Sequence, residues 1–537
     1  MERSDRNKLL LLCLFTFVIR LYVITQTPLI STDSFAFIQN AKHFSHGEFT
    51  EGLKHPFHPL YSMLTALFKP AFNNFETSGE FVSLIFGTLT IFPLFFLTKR
   101  IFSRRVAFAA AFILAIHPFH IRLSADVMSD VTYYFLYVTA IWTLWIAIEK
   151  NKWFHYILTG ALAGLAYLTR PEGIELIVIA IIVIFLMKIR ELPKDGLRRI
   201  GRTCLILASF LFVSFWYIFL IHEQTGIWQF TMKISGKAVT EMDETSTPEE
   251  TMREENNPAV KDWSDDRVRL EEYRNKPDYI GFIAYSLNEF LKASYYPIFL
   301  LVLLGIFWRK EQKYPRIADL YLLAFIALHF FILERLLITR LYMSVRHLTT
   351  IVILTLPWAG IGIISMEGFL LRKFWNKTDT DIIRSADSTH MNISKPILLL
   401  LLALTILTIP KAVKPKRFDE LALKSSGKWL KEWHKANDNS PDFQVIGSEK
   451  IAYYAGADAW YPLQGSDYRT TLNYIRSLKV KYLAFYLKKT ERINSELVKN
   501  APLDANTPNP DLIFLNQWTE YLDKNNVDTL CLFKVKY

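Results

Sequence analysis

Cysteine is scarce in this sequence. Cys13, Cys204 and Cys531 are the only three in 537 residues. They lie far apart, two of them inside apolar runs, so neither a disulfide framework nor a cysteine zinc cluster follows from them. A cleavable leader is also lacking. The run Leu9–Ile24 contains Arg20, and no small-residue cleavage site precedes Asp33, so the run reads as a retained span. Basic residues are plentiful, with a net charge of +11. They cluster in short loops between apolar runs, as topology signals do, and this sets nucleic acid aside as a partner.

What the chain does have is hydrophobic length. Apolar residues make up 51% of it and aromatics 15%, and apolar runs of about 15–20 residues recur from Leu9 to Ile409. Candidate spans fall near 9–25, 81–98, 105–120, 131–148, 154–169, 173–188, 203–221, 281–307, 317–334, 348–366 and 395–410. With the N-terminus cytoplasmic, most basic residues fall in inside loops and the short outside loops are much poorer in them, although the outside piece 335–347 is basic. The inside residues include Lys99, Arg100, Arg104 and Arg105; Lys188 to Arg202; Arg309 to Arg316; and Arg372 to Lys395. One orientation satisfies every short loop, which supports about eleven spans. An odd number of spans puts the remainder of the chain outside, on the same face as Asp33.

The expected fold class is therefore an α-helical polytopic membrane protein with a small C-terminal α/β extracytoplasmic domain. Residues 1–410 form the membrane domain, with outer loops 26–80 and 222–280, and residues 411–537 the soluble domain. The long loop 222–280 is acidic and rich in Ser, Thr and Glu, a composition that favours a mobile segment, either a functional lid or a disordered stretch, over a packed element. In the soluble part, an amphipathic helix at 418–436 is expected to turn Leu421, Trp429, Leu430 and Trp433 to a core. Short apolar runs at 443–447, 480–486, 511–515 and 529–535 alternate with helical patterns at 466–477 and 490–500, as in an α/β layer. This domain has no Gly-rich phosphate loop and no His/Cys cluster, and reads as a packing or acceptor-docking module.

The chemistry-bearing residues gather at the outer ends of the spans. Ser31, Thr32, Asp33 and Ser34 all suit a helix N-cap. Asp33 equally suits a general base that takes a proton from an acceptor hydroxyl, and the two roles are compatible. Asp126 and Asp130 are four apart, which on a helix puts both on one face; carboxylates at a membrane boundary mark either a cap or a site. His-Pro-Phe-His occurs at 55–58 and again at 117–120. Histidine pairs can hold zinc, but the proline inside each pair breaks the helix that would align them, so structural turns are expected. His55 is kept as a hydrogen-bond donor to a phosphate or sugar. Thr169-Arg170-Pro171-Glu172-Gly173 is a Pro-Gly turn with an Arg–Glu pair. Arg170, Arg340 and Arg346, beside His347, either snorkel to headgroups or bind a phosphate with their planar guanidinium groups. Lys233 and Lys237 are weaker candidates, and Arg20 is expected to snorkel or to pair with a carboxylate.

Taken in order, these motifs resemble the GT-C superfamily of polyprenyl-phosphate-sugar glycosyltransferases. They are Arg20-Leu21 at the end of the first span, Asp33 heading a juxtamembrane helix, His55-Pro56-Phe57-His58-Pro59, the acids of SADVMSD, Leu168-Thr169-Arg170-Pro171-Glu172-Gly173, and Arg346-His347-Leu348. The likeness is to the protein O-mannosyltransferase-like, lipid A aminoarabinose transferase-like and RgtA/B/C/D-like groups. Gly447-Ser448-Glu449 and Ala452-Tyr453-Tyr454-Ala455-Gly456 resemble the outer domain of bacterial members. The resemblance implies an inverting transferase in the plasma or inner membrane, moving one sugar from a polyprenyl-phosphate donor to a lipid, glycan or protein acceptor. Undecaprenyl phosphate is the default carrier, with dolichyl phosphate behind it. The resemblance implies Asp33 as base, Asp130, with Asp126 as the alternative, as second acid, and Arg170 and Arg346 toward the donor phosphate; Arg340 and His55 are kept as phosphate candidates from the residues themselves. No cofactor is fixed, and a divalent metal stays open. The competing reading is a lipid or sugar transporter or flippase, which predicts charges buried in mid-span and a repeat between halves. The oligosaccharyltransferase reading lacks its Trp-Trp-Asp run here.

Overall fold

The computed structural model describes residues 3–186, 196–232, 270, 272–275, 278–309, 314–375, 394–438, 440–465, 467–502, 504, 507, 509–523 and 526–537. Lys233, Lys237 and most of the expected 222–280 loop lie outside the described residues. The described chain divides into two units: one within residues 1–26, 36–235 and 270–414, the other within 27–35 and 415–537.

The first unit is helical throughout. Its elements are α1 (Arg3–Thr25), the body of α2 (Thr32–Ser45), α3 (Phe49–Gly52), α4 (Leu60–Phe68), α5 (Phe75–Leu89), α6 (Ile91–Ile101), α7 (Arg104–Ile116) and α8 (Pro118–Leu123). There follow α9 (Asp130–Lys150), α10 (Trp153–Thr169), α11 (Glu175–Leu186), α12 (Gly196–Thr225), α13 (Tyr279–Ser294), α14 (Tyr296–Trp308), α15 (Arg316–Arg340), α16 (Val345–Trp375) and α17 (Lys395–Val413). The expected spans are thus helical over most of their described residues. Among the described residues seven helices are long and apolar enough to cross a membrane, so this is a multi-pass membrane protein. α7 and α10 cover 13 and 17 residues and α11 is described over 12, against about 20 for a typical crossing.

One expected span is corrected. The segment 281–307 is two helices, α13 and α14, bent by 103°. Tyr295 at the joint takes a left-handed backbone, φ 60°, and Pro297 in the first turn of α14 has no N–H to continue the ladder of α13.

The basic loop residues also have structural partners. Arg104 donates to Asp5 at 2.7 Å, joining the starts of α7 and α1. Arg105 forks onto the buried Glu367 at 2.6 and 2.7 Å, and Ser394 donates to the same carboxylate at 2.5 Å. Arg309 pairs with Asp319, whose other oxygen accepts from Trp358 Nε1 at 3.0 Å. Close packing holds α14 against α16. A Cβ on Gly305 would sit 1.7 Å from the carbonyl oxygen of Trp358, and one on Gly362 2.3 Å from that of Leu301. Small residues of this kind let membrane helices approach at the backbone.

The second unit is a five-stranded mixed sheet, β1 (Gln444–Ile446), β2 (Ala459–Tyr461), β3 (Tyr482–Tyr486), β4 (Leu512–Asp523) and β5 (Asn526–Val535), in the order β2-β1-β3-β5-β4. β1 pairs parallel to β2 and β3, and β5 antiparallel to β3 and β4. β3 is buried along its whole length. Because strand side chains alternate faces, Tyr482, Ala484 and Tyr486 join one core with α18 (Leu421–Asn437) and α19 (Glu449–Ala455). Leu483 and Phe485 join the other, with α20 (Tyr468–Ser477). α21 (Leu487–Ile493) and α22 (Ser495–Asn500) complete the layer. The buried stripe of α18 runs through Leu423, Gly427 and Leu430, whereas Leu421 is exposed, contrary to the expected face. The shift follows from Gly427, where a Cβ would lie 2.6 Å from the carbonyl oxygen of Ile451, so that α18 and α19 meet there.

Asp438, just past α18, gives this unit an acid-sensitive contact. Burial works against its charge. The hydrogen bonds from Ser440 and Lys534 and the charges of Lys534 and Lys481 outweigh that effect and hold the carboxyl down at about 2, from an ordinary 3.8. A depressed carboxyl contributes stability above its unfolded pKa and loses it as pH falls through the folded one. Wild type should therefore lose on the order of 1 kcal/mol between about pH 4 and 2 from this group, after solvent screening. Asp438→Asn should flatten that part of the urea-midpoint profile; an unchanged acid limb contradicts the assignment.

Candidate active site

Asp130 opens α9, wholly buried, and Oδ1 accepts from Arg170 Nη1 at 2.5 Å. Arg170 follows the last residue of α10 in extended backbone, and Pro171 then starts a 3-10 turn, Pro171–Ile174. The turn folds tightly onto α10, since a Cβ on Gly173 would lie 2.3 Å from the Tyr167 nitrogen. That geometry aims Arg170 at Asp130 while Glu172 closes on it from the other side. Nη2 donates to Glu172 Oε1 at 3.1 Å and Nε to Oε2 at 3.4 Å. The guanidinium also lies 5.8 Å from the Tyr133 ring centre. Burial opposes its charge, but Glu172 and Asp130 outweigh that and keep Arg170 protonated well above its ordinary value. Arg170 is therefore held by two carboxylates.

Tyr134, one turn into α9, donates its hydroxyl to the Arg346 carbonyl at 2.5 Å. Arg346 and His347 sit in the first turn of α16, where the helix dipole favours an anion. Ser344 closes the turn: its N–H donates to His347 Nδ1 at 3.2 Å, and its carbonyl accepts from the His347 N–H at 3.0 Å. The structure thus brings Asp130, Arg170 and Arg346 together around the first turns of α9.

Asp126 does not share a helical face with Asp130. It lies in the link between α8 and α9, buried, with Oδ1 accepting from the neighbouring Val127 N–H at 3.0 Å. Its charge reaches the Tyr61 hydroxyl, together with that of Glu80. His55 is half-buried and accepts from the Phe57 N–H at 3.2 Å. His58 is buried 2.5 Å from the Tyr167 carbonyl, edge-on to Tyr167 and Tyr217. His117 caps α8 through the His120 N–H. Arg20 does not snorkel, and among the described residues it pairs with no carboxylate: it is fully buried, bonding to His120 Nδ1 at 2.8 Å, Ser124 Oγ at 3.1 Å and the Ala115 carbonyl at 3.2 Å. Unpaired carbonyls at the end of α7 attract that cation. Arg340 is the exposed last residue of α15.

Asp33 belongs to the second unit by its packing and stands in the first turn of α2, half-buried. Two serines help close that turn. The Ser34 N–H donates to the Ser31 carbonyl at 3.1 Å, and the two hydroxyls lie 2.7 Å apart. Among the described residues no three His, Cys, Asp or Glu side chains converge as metal ligands.

Residues 54–218 match the family model of dolichyl-phosphate-mannose-protein mannosyltransferases. Solved structures resemble the chain over nearly its full length. ArnT from Cupriavidus metallidurans bound to undecaprenyl phosphate aligns with a TM-score of 0.56 at 12% identity, covering 97% of each chain. The Archaeoglobus fulgidus oligosaccharyltransferase in its apo form gives 0.54 at 12%, covering 93% of this chain and 72% of the other. AglB from the same organism, in complex with an inhibitory peptide and a dolichol-phosphate, gives 0.53 at 14%, with the same coverage. The chain carries the GT-C fold. Among curated proteins none matches the sequence.

Within this GT-C bundle, two further buried residues adjoin the cluster. Glu175, which opens α11, lies 2.6 Å from His329 Nδ1 of α15, and His329 Nε2 faces the His347 carbonyl at 3.4 Å. Both side chains are buried. Tyr134 and this pair together fix the start of α16. The sequence offered each only as one polar residue in an apolar span.

Proposed function

We propose that this protein is an inverting glycosyltransferase that moves a single sugar from a polyprenyl-phosphate donor to a lipid, glycan or protein acceptor. The N-terminus is cytoplasmic and the C-terminal domain lies on the outer face of the plasma or inner membrane. Asp33 takes the proton of an acceptor hydroxyl as its oxygen attacks the anomeric carbon. The bond from that carbon to the phosphate oxygen breaks, and polyprenyl phosphate leaves with the electron pair. A phosphate leaving group is already anionic and needs little protonation, so cationic stabilisation on its side suffices.

Arg346, at the start of α16, is assigned to the donor phosphate, with Arg340 and His55 as further candidates. Arg170, held by Asp130 and Glu172, is assigned to keeping the second acid in place, with Asp126 as the alternative acid. The observation that carries this reading is the link through Tyr134 between the buried Asp130–Arg170 pair and the Arg346 helix end. Arg346→Ala should weaken binding of undecaprenyl phosphate by roughly 10- to 150-fold, the worth of a charge-assisted hydrogen bond. Unchanged affinity, measured by titration calorimetry in detergent, removes the phosphate assignment.

A further inference from the structure

The segment that carries Asp33 is short, polar and adjacent to the first membrane span, yet residues 27–35 pack with the C-terminal domain. Four contacts on two sides of Asp33 account for this. Upstream, Arg417 Nη1 donates to the Leu29 carbonyl at 2.7 Å and Lys424 Nζ to the Pro28 carbonyl at 2.5 Å. The Leu29 side chain is fully buried in the same core as Leu423, Leu430 and Tyr482. Downstream, the buried Phe35 ring packs 4.9 Å from that of Tyr453 on α19. Arg417 stands in the left-handed region, φ 55°, which costs a non-glycine residue free energy and persists only where surroundings enforce it. Lys424 lies 4.7 Å from the Tyr454 ring centre, which fixes the direction of its ammonium. Residues 28–29 and 35 are thus anchored, and the stretch between them is closed by the Ser31–Ser34 contacts. A loop held at both ends has lost most of the backbone freedom that an untethered one retains.

We propose that Arg417, Lys424 and Tyr453 are positioning residues for Asp33, so that the C-terminal domain acts as a clamp that sets the direction of the base. The inference rests on the reading of Asp33 as the base. It gives the domain a part in turnover beyond packing or acceptor docking. Tyr453 falls within the Ala452–Gly456 motif, which is thereby accounted for by its contact with Phe35.

The test uses the full-length chain in detergent, with Arg417→Ala/Lys424→Ala as the variant. Hydrogen exchange reads the clamp directly. Kinetics use whichever undecaprenyl-phosphate sugar the wild-type chain transfers. The expected result is faster exchange at the Leu29–Phe35 amides, unchanged exchange in β3 and β5, and kcat lower by roughly 10- to 100-fold at constant donor KM, since small misplacements of a reacting group cost that much. Arg417→Lys should recover part of the loss. Unchanged exchange at 29–35 overturns the clamp. Faster exchange with full kcat, while Asp33→Asn is inactive, overturns the positioning role and leaves the base intact. An Asp33→Asn variant as active as wild type overturns the base reading, and this inference with it. If the double variant also loosens β3 and β5, Tyr453→Leu, which removes only the ring against Phe35, carries the same outcomes.

Discussion

Asp33→Asn should lower kcat by about 10²- to 10⁴-fold, the contribution of a general base, with little change in donor affinity or in melting temperature. The reasons lie in the local structure. Asp33 stands half-buried in the first turn of α2, where Ser31 and Ser34 supply contacts that close the turn. Asparagine keeps the shape and a carbonyl acceptor but cannot take a proton. The comparison with Asp130→Asn separates the two acids. Asp130 bonds to Arg170, so its amide variant should lose stability as well as rate. If Asp130 were the base instead, Asp33→Asn would keep full kcat and only Asp130→Asn would lose rate.

The second large effect is on stability. Arg170→Ala leaves Asp130 and Glu172, both largely buried, without their shared cation. Removing one partner of a buried pair typically costs about 3–5 kcal/mol, because the remaining charge is left uncompensated. The triple variant Arg170→Met/Asp130→Asn/Glu172→Gln removes the charges as well as the cation, and should recover most of the stability without recovering transfer. Thermal unfolding in detergent reads the first effect, and a sugar-transfer assay the second. A triple variant no more stable than Arg170→Ala contradicts the account of the cluster as a buried charge network.

Helix positions were legible because membrane spans leave a strong composition signal, and the candidate spans are helical over most of their described residues. The break at Tyr295 was not, since an apolar run reads the same whether straight or bent, and only Pro297 hinted at it. The four-residue spacing of Asp126 and Asp130 suggested one helical face. Asp126 instead accepts from the next backbone N–H, a local bond that competes with helix formation, and α9 begins at Asp130. Arg170 could be named from its Pro-Glu-Gly turn, but its engagement with Asp130 depends on a partner 40 residues away. Glu175 and His329 are 154 residues apart, and no local pattern joins them. The segment 27–35 shows the same limit. Its attachment to Arg417 and Lys424 spans nearly the whole chain, so the sequence reading placed it with the membrane domain.

The central claim is that the chain breaks the bond between a sugar and its polyprenyl phosphate. The most direct measurement reconstitutes the wild-type protein in vesicles with radiolabelled undecaprenyl-phosphate sugars and an acceptor extract, and follows both label and carrier. The account predicts release of free undecaprenyl phosphate, appearance of the sugar on an acceptor with inverted anomeric configuration, and loss of both in Asp33→Asn. Movement of the intact sugar-phosphate lipid between leaflets without cleavage, at equal rates in wild type and Asp33→Asn, would contradict it and favour a transporter.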